Sequence, residues 1–355
     1  MSALPSIKTR AARRGLGRAT LADVAAAAGV TSITVSRYLR EPHRVAAHTA
    51  QRIAQALAET GYVPNKQAGA LASAGAGASR MVAALIPSIA NSIFAETVQG
   101  LAETLQGSGC ELLLAATDYS TEREEAQLRA LMGWSPSAIV VTGRRHTDAA
   151  HALLLRARDQ GTPVIEVWDH RARRGVFTQI GFDHAEVGRA MAEHLIERGY
   201  ARLAYLDSGV AEDFRAHERG EGFLAAARRR RVSAQRLVAP RSSDAIQAGR
   251  DALPLLLGAH DGRPQFSAVA CANDNLACGA LLGARAAGLS VPRDMALLGF
   301  GDFALGRQLD PALSTVQVPR REIGQAAARA LLAALDGQPA VDQRLPWTLL
   351  PRSST

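Results

Sequence analysis

Thr31, Ser32, Ile33, Ser36 and Arg37 lie within seven residues of one another and bring together hydroxyls, an aliphatic chain and a guanidinium. Such a set at the start of a helix can reach base edges in a DNA major groove, and its hydroxyls and arginine can also hold phosphates. The chain offers little reaction chemistry beside it. It contains no Ser-His-Asp order, no paired catalytic carboxylates and no HExxH motif. Cys110, Cys271 and Cys278 are odd in number and lack metal-ligand spacing, so they read as small buried residues of a reducing compartment. His146, His151 and His170 could gather near one mouth, but they read as solvated loop histidines. GFGDFA (299–304) fits a dinucleotide fingerprint ending in alanine. That fingerprint needs a helix opened by its glycines, and no regular helix fits before the strand-like run Thr315–Val318. No enzyme, cofactor or metal is therefore expected.

The helix carrying the hydroxyls is the second of two. Thr20 with Asp23 forms a capping-box pattern, with Asp in place of Glu. Leu21, Val24, Ala25 and Ala28 then follow helical spacing up to Gly29. Thr31 caps the next helix, which turns Val35 and Leu39 inward. Two short helices joined by a tight glycine turn predict a helix-turn-helix, and the alanines let them cross closely. A third helix, about Ala46–Thr60, is expected to bury Ile53, Ala54 and Leu57 and to stop at Gly61.

Charge supports this reading. Residues 1–79 hold ten cations and three acids, a net +7, and the whole 355-residue chain carries only +8. A basic head on a nearly neutral body is the electrostatic footprint of nucleic-acid binding. Met1–Arg18 is basic without an apolar core, so no secretory signal is expected, and no run of 18 apolar residues predicts a membrane span. Ala68–Ser79, rich in small residues, reads as a linker.

Beyond it, apolar runs alternate with amphipathic stretches. Strands are expected near Val82–Ile86, Leu112–Ala115, Ala138–Val141, Val164–Val167, Arg202–Leu206, Phe266–Ala270 and Met295–Phe300. Helices are expected near Phe94–Leu105, Glu122–Met132, Val187–Glu197, Phe223–Arg230, Ala277–Ala287 and Ile323–Leu335. This predicts an α/β body of parallel sheets covered by helices, long enough for two lobes, behind an all-α head. Ligands of such folds sit beyond the carboxyl ends of the strands.

LADVAAAAGVTSITVSRYL followed by GYVPNKQAGALAS resembles the head of the LacI/GalR family of bacterial transcription regulators. The resemblance extends over nearly the whole chain. LIPSIANSIFAETVQGL, MGWSPSAIVVTGRRHT, PVIEVWDH, IGFDHAEVGR and CANDNLACGA look closer to the gluconate-utilisation repressors of that family than to its lactose or purine members. It implies a head (1–64), a hinge and linker (65–80) and a two-lobed, periplasmic-binding-protein-like domain for ligand and dimerisation (81–355). It implies a hinge at Asn65–Ser73 that becomes helical on operator DNA, with Asn65 opening it and Ala68 and Leu71 at the minor groove. A leucine there acts as a wedge that unstacks a base step.

In the body it implies ligand contacts at Asn91, Phe94, Glu166, Trp168, Arg219, Asn273 and Asp302. Asp302 stands one residue later than the acid usual in the family, whose place is taken by Gly301. An arginine for a carboxylate, forked polar groups for hydroxyls and an aromatic face for the carbon chain suit a sugar acid. The function implied is a cytoplasmic repressor that binds a palindromic operator as a homodimer and is released by a small sugar acid such as gluconate. A neutral sugar, a purine, or corepressor logic remain alternatives. A free-standing sugar receptor would need no helix-turn-helix, and no heptad repeat follows Pro351 to suggest a tetramer.

Overall fold

The structure is a computed structural model that describes residues 19–62, 80–89, 92–171, 175–242, 244–258 and 264–355. The hinge residues Asn65, Ala68 and Leu71, the linker, and Asn91 lie outside them. The chain divides into two units at Ser79 and Arg80.

The first unit is helical. α1 (Leu21–Ala28) opens on the expected capping box: Thr20 Oγ1 accepts from the Asp23 amide at 3.3 Å, and the Asp23 carboxylate accepts from the Thr20 amide at 2.7 Å. It closes at Gly29, whose φ of +61° suits glycine. A side chain at Gly29 would also meet Arg52, which donates to the carbonyls of Ala28 and Gly29. α2 (Ser32–Arg40) is capped by Thr31, whose Oγ1 accepts from the Thr34 amide. After a 3₁₀ turn at Pro42–Arg44 comes α3 (Ala47–Thr60). Val24, Ala25, Ala28, Val35, Ile53 and Ala56 form the core. Ala54, expected inside, is exposed. On a helix, positions 53, 56, 57 and 60 share a face, and 54 is turned about 100° from 53.

The second unit has two six-stranded sheets. In chain order its elements are β1 (Arg80–Ile86), α4 (Ser92–Leu105), β2 (Cys110–Ala116), α5 (Thr121–Met132), β3 (Ala138–Thr142), α6 (Asp148–Asp159), β4 (Val164–Asp169) and β5 (Thr178–Phe182). Then follow α7 (His184–Glu197), β6 (Arg202–Asp207), α8 (Phe214–Arg229), β7 (Ser233–Val238), α9 (Ala245–Asp251), α10 (Leu253–Leu256), β8 (Ala268–Cys271) and α11 (Asp274–Ala286). The chain ends with β9 (Ala296–Phe300), α12 (Ala304–Gln308), β10 (Ser314–Gln317), α13 (Arg320–Leu335), β11 (Gln343–Arg344) and β12 (Thr348–Leu350). The strand orders are β11-β5-β4-β3-β1-β2 and β12-β10-β9-β8-β6-β7. Every pairing is parallel except β10 with β12.

The chain passes between the lobes three times: after β5, after β10 and between β11 and β12. α13 returns to the first lobe and packs on α4. The approach is so close that a side chain at Gly324 would strike the Thr97 carbonyl, and one at Gly100 that of Arg321. α7 crosses α8 in the same way, with Gly188 against Arg219 and Gly222 against Ala185. α12 occupies the stretch where no regular helix was expected, but its five residues do not continue the glycines of GFGDFA. Among the described residues no helix is long and apolar enough to cross a membrane, and no cluster of metal ligands forms.

Candidate functional site

The head presents its chemistry on α2. Ile33 is 71% exposed, although every other large aliphatic side chain on α1 and α2 packs at least partly inward. Arg37 lies one turn later on the same row and is exposed. Ser32 and Ser36 form the neighbouring row and are half-buried. Thr31 spends its hydroxyl on the cap and on Thr34 Oγ1 at 2.9 Å. An aliphatic chain held in water beside an exposed guanidinium at a helix start has no packing purpose, and the arrangement suits a helix that reads a groove.

The body places its second site at the carboxyl ends of the strands. The strand order reverses between β1 and β3, the switch point at which doubly wound sheets open a crevice. A small cleft opens there, lined by Pro87 after β1, Thr117 and Tyr119 after β2, Thr142 and Arg145 after β3, and Glu212, Phe214 and Arg215 of the opposite lobe. Phe94 and Trp168 stand edge to face at 5.5 Å, and Tyr119 meets Phe94 at 6.1 Å. The Trp168 φ of +77° is strained for a bulky residue. It turns the indole onto the side of Ile165 and Val167, where Nε1 donates to Thr97 Oγ1 at 3.2 Å. Phe94 and Trp168 are both buried, 3% and 2% exposed.

Charge converges on the same place. The Arg215 guanidinium lies 4.9 Å from the Phe214 ring centre and 5.7 Å from that of Phe94, and that of Arg145 lies 5.0 Å from Phe214. Arg144 and Arg171 instead pair with Glu218. Asp169, 2% exposed, is pushed up to about 7 by burial, against the pull of Arg215 and Arg144. Its Oδ2 and the Nε of Arg144 are buried without a hydrogen-bond partner among the described residues.

The other expected ligand residues sit further inside. Glu166 accepts from Gln179 at 2.7 Å and faces His146 at 3.5 Å. His146, expected to be solvated, is buried between Glu166 and Glu124, the latter at 2.5 Å. Burial alone would lower its pKa, but the hydrogen bond to Glu124 and the close carboxylate of Glu166 raise it to about 9. Arg219 donates to His184 Nδ1 at 2.9 Å and to the Ala272 carbonyl at 2.8 Å, and it covers Phe300 at 3.9 Å. Asn273 caps α11 by accepting from the Leu276 amide. Asp302 is 1% exposed and takes four hydrogen bonds, two from Arg307 and one each from Arg352 and Gln317. Burial raises its pKa, but the two guanidiniums hold it below the usual carboxylate range. Its acceptor capacity is filled, which leaves a ligand hydroxyl no free oxygen there.

Two family models match: bacterial regulatory proteins of the lacI family over residues 20–65, and the periplasmic binding protein-like domain over residues 192–355. The HTH-type transcriptional regulator GntR of Pseudomonas aeruginosa is 37% identical over 346 residues, 96% of this chain and 97% of its own. The chain belongs to the LacI family of bacterial regulators. A LacI-family regulator from Silicibacter pomeroyi superposes with a TM-score of 0.86 at 31% identity, over 95% of this chain and 99% of the other. The lac repressor dimer bound to operator and the anti-inducer ONPF superposes at 0.76 with 26% identity, over 95% and 99%. The protein is thus a transcriptional repressor of this family and not an enzyme; its helix-turn-helix head is the DNA-binding region and the cleft lies in its periplasmic-binding-protein-like body.

Arg215, Tyr119 and Phe214 line the cleft but escaped the reading of the sequence. For Arg215 the available signal was its place four residues before Arg219, one turn up the same helix. His184 was hidden because a histidine after a capping aspartate reads as the exposed start of a helix, whereas here it is 2% exposed.

Proposed function

We propose that this repressor acts in the cytoplasm, binds a palindromic operator as a homodimer, and is released from it by a small sugar acid, gluconate or a close relative. The observation that carries the effector reading is the make-up of the cleft: guanidiniums stacked on aromatic rings, in the field of a buried aspartate whose Oδ2 has no donor among the described residues. Cations suit a carboxylate, the aspartate suits hydroxyls, and the rings suit a carbon chain. The similarity to regulators named GntR supports the same reading. Of the residues expected from the resemblance, Phe94, Trp168, Arg219 and Asn273 are proposed to build or border the site, together with Asn91; Glu166 and Asp302 are proposed to hold the lobes in shape.

In the head, Ser32, Ile33, Ser36 and Arg37 are proposed to meet the half-site, with Thr31 shaping the helix start and Asn65, Ala68 and Leu71 forming the hinge contacts. Ligand and operator then oppose one another through a coupling free energy, reciprocal by linkage. A thermal-shift screen of the purified full chain against sugar acids, neutral sugars and purines tests the effector. A shift with gluconate or a related acid alone is the expected result; a shift with purines or neutral sugars alone contradicts it.

A further inference from the structure

We propose that Arg215, rather than Arg219, receives the carboxylate of the effector, with Arg145 as a second donor at the mouth of the cleft. This rests on the sugar-acid reading above and assigns its charge-bearing group.

The two arginines differ in how their donors are used. Arg219 is turned into the second lobe. Its Nη1 serves His184, its Nη2 serves the Ala272 carbonyl, and its face is covered by Phe300. Its Nε is buried without a hydrogen-bond partner among the described residues, but a carboxylate taking two parallel bonds from the fork would have to compete with His184 or the Ala272 carbonyl for an Nη group. Arg215 is nearly as buried, 5% against 4%, yet its one described hydrogen bond is a long one, to the Thr142 carbonyl at 3.4 Å. No carboxylate stands within ion-pair distance of it among the described residues, in contrast to Arg144 with Glu218. Phe214 and Phe94 stand against its guanidinium, and the residue lines the cleft.

A guanidinium carries five donors, and a carboxylate accepting two parallel hydrogen bonds would use donors of Arg215 that the single long bond to Thr142 does not. Arg145, exposed and likewise without a carboxylate partner among the described residues, stacks on the same Phe214 ring from the other lobe. An anion at this point therefore touches both lobes and favours their closure. The acids lining the cleft do not displace it: Glu124 is held by His146, and Glu212 is exposed.

The test is calorimetry on the full-length protein with three probes of one carbon count: gluconate, neutral glucitol and glucose 6-phosphate. The variants are Arg215→Gln, Arg215→Lys and Arg145→Gln. The parent is expected to prefer gluconate to glucitol by about 30-fold or more, the scale of a desolvated charge pair. Arg215→Gln is expected to bind both with equal weakness. Arg215→Lys, which keeps the charge but not the fork, retains part of the preference, and Arg145→Gln loses a smaller share. If Arg215→Gln keeps the parental preference, the carboxylate lies on another cation and the proposal falls while the sugar-acid reading stands. If the parent prefers glucose 6-phosphate, the anion is a phosphate and the carboxylate assignment falls. If the parent binds none of the three, the sugar-acid reading falls and takes this assignment with it.

Discussion

Arg219 Nη1 donates to His184 Nδ1 at 2.9 Å, and this bond settles the state of the histidine. Since Nδ1 accepts, Nε2 carries the proton, and it donates to the Trp168 carbonyl at 2.9 Å. Burial first, then the charges of Arg219 and Arg215, holds the His184 pKa well below its ordinary value. The neutral ring thus ties the end of β4 in the first lobe to α8 in the second, through a chain of fully buried donors and acceptors.

Arg219→Ala is therefore expected to act on the fold before it acts on the ligand. It leaves His184 Nδ1 and the Ala272 carbonyl without donors, at about 1–3 kcal/mol for each group. Urea unfolding should show a lower midpoint with an unchanged slope. A variant as stable as the parent would mean that the chain through His184 is dispensable.

His146 makes stability depend on alkaline pH. Its folded pKa of about 9 lies above the ordinary 6.5, so the folded protein holds a proton that the unfolded chain releases between these values. The stabilisation is complete below about 6.5 and is lost as the pH rises through about 9. The melting temperature of the parent should fall over that window more than that of His146→Gln. Parallel curves for the two proteins would contradict a charged His146 between Glu124 and Glu166.

The proposed DNA contacts of the head fall on two rows of one helix. Exchanging Ser32 and Ile33 for another pair should change the bases preferred in the half-site, because they stand at the exposed start of α2. Arg37→Ala should lower operator affinity for all sequences and reduce the salt slope by about one if it grips phosphate, or relax one position if it reads guanine. A binding-site selection that returns the parental consensus for the exchanged pair would refute the assignment.

Most of the architecture could be read from the chain. Strand–helix alternation marked seven strands by their apolar runs, most of them buried on both faces, as in Ala138–Thr142 and Ala268–Cys271. β7 escaped because Ser233–Val238 is an edge strand whose residues are exposed or half-buried, and β11 is only two residues long. α8 was placed too late, since its first turns carry Arg215, His217, Glu218 and Arg219, a polar run that reads as surface. Those first turns are where the cleft is built. Spacing marks which residues can share a face, but it does not tell which arginine is spoken for by a histidine and which is left facing a void. Asp302 shows the converse: its position after β9 suggested a ligand contact, and only the fold brings Arg352 from near the end of the sequence to occupy it.

One small acid and one operator are proposed to compete for the state of this protein. Fluorescence anisotropy of labelled operator DNA, bound by the full-length protein and titrated with gluconate at fixed salt, tests it most directly. The expected result is release of DNA that saturates with the acid, with no release by glucitol at the same concentration. Anisotropy that holds or rises as the acid is added, while calorimetry shows that the acid is bound, would contradict the account and make the ligand a corepressor.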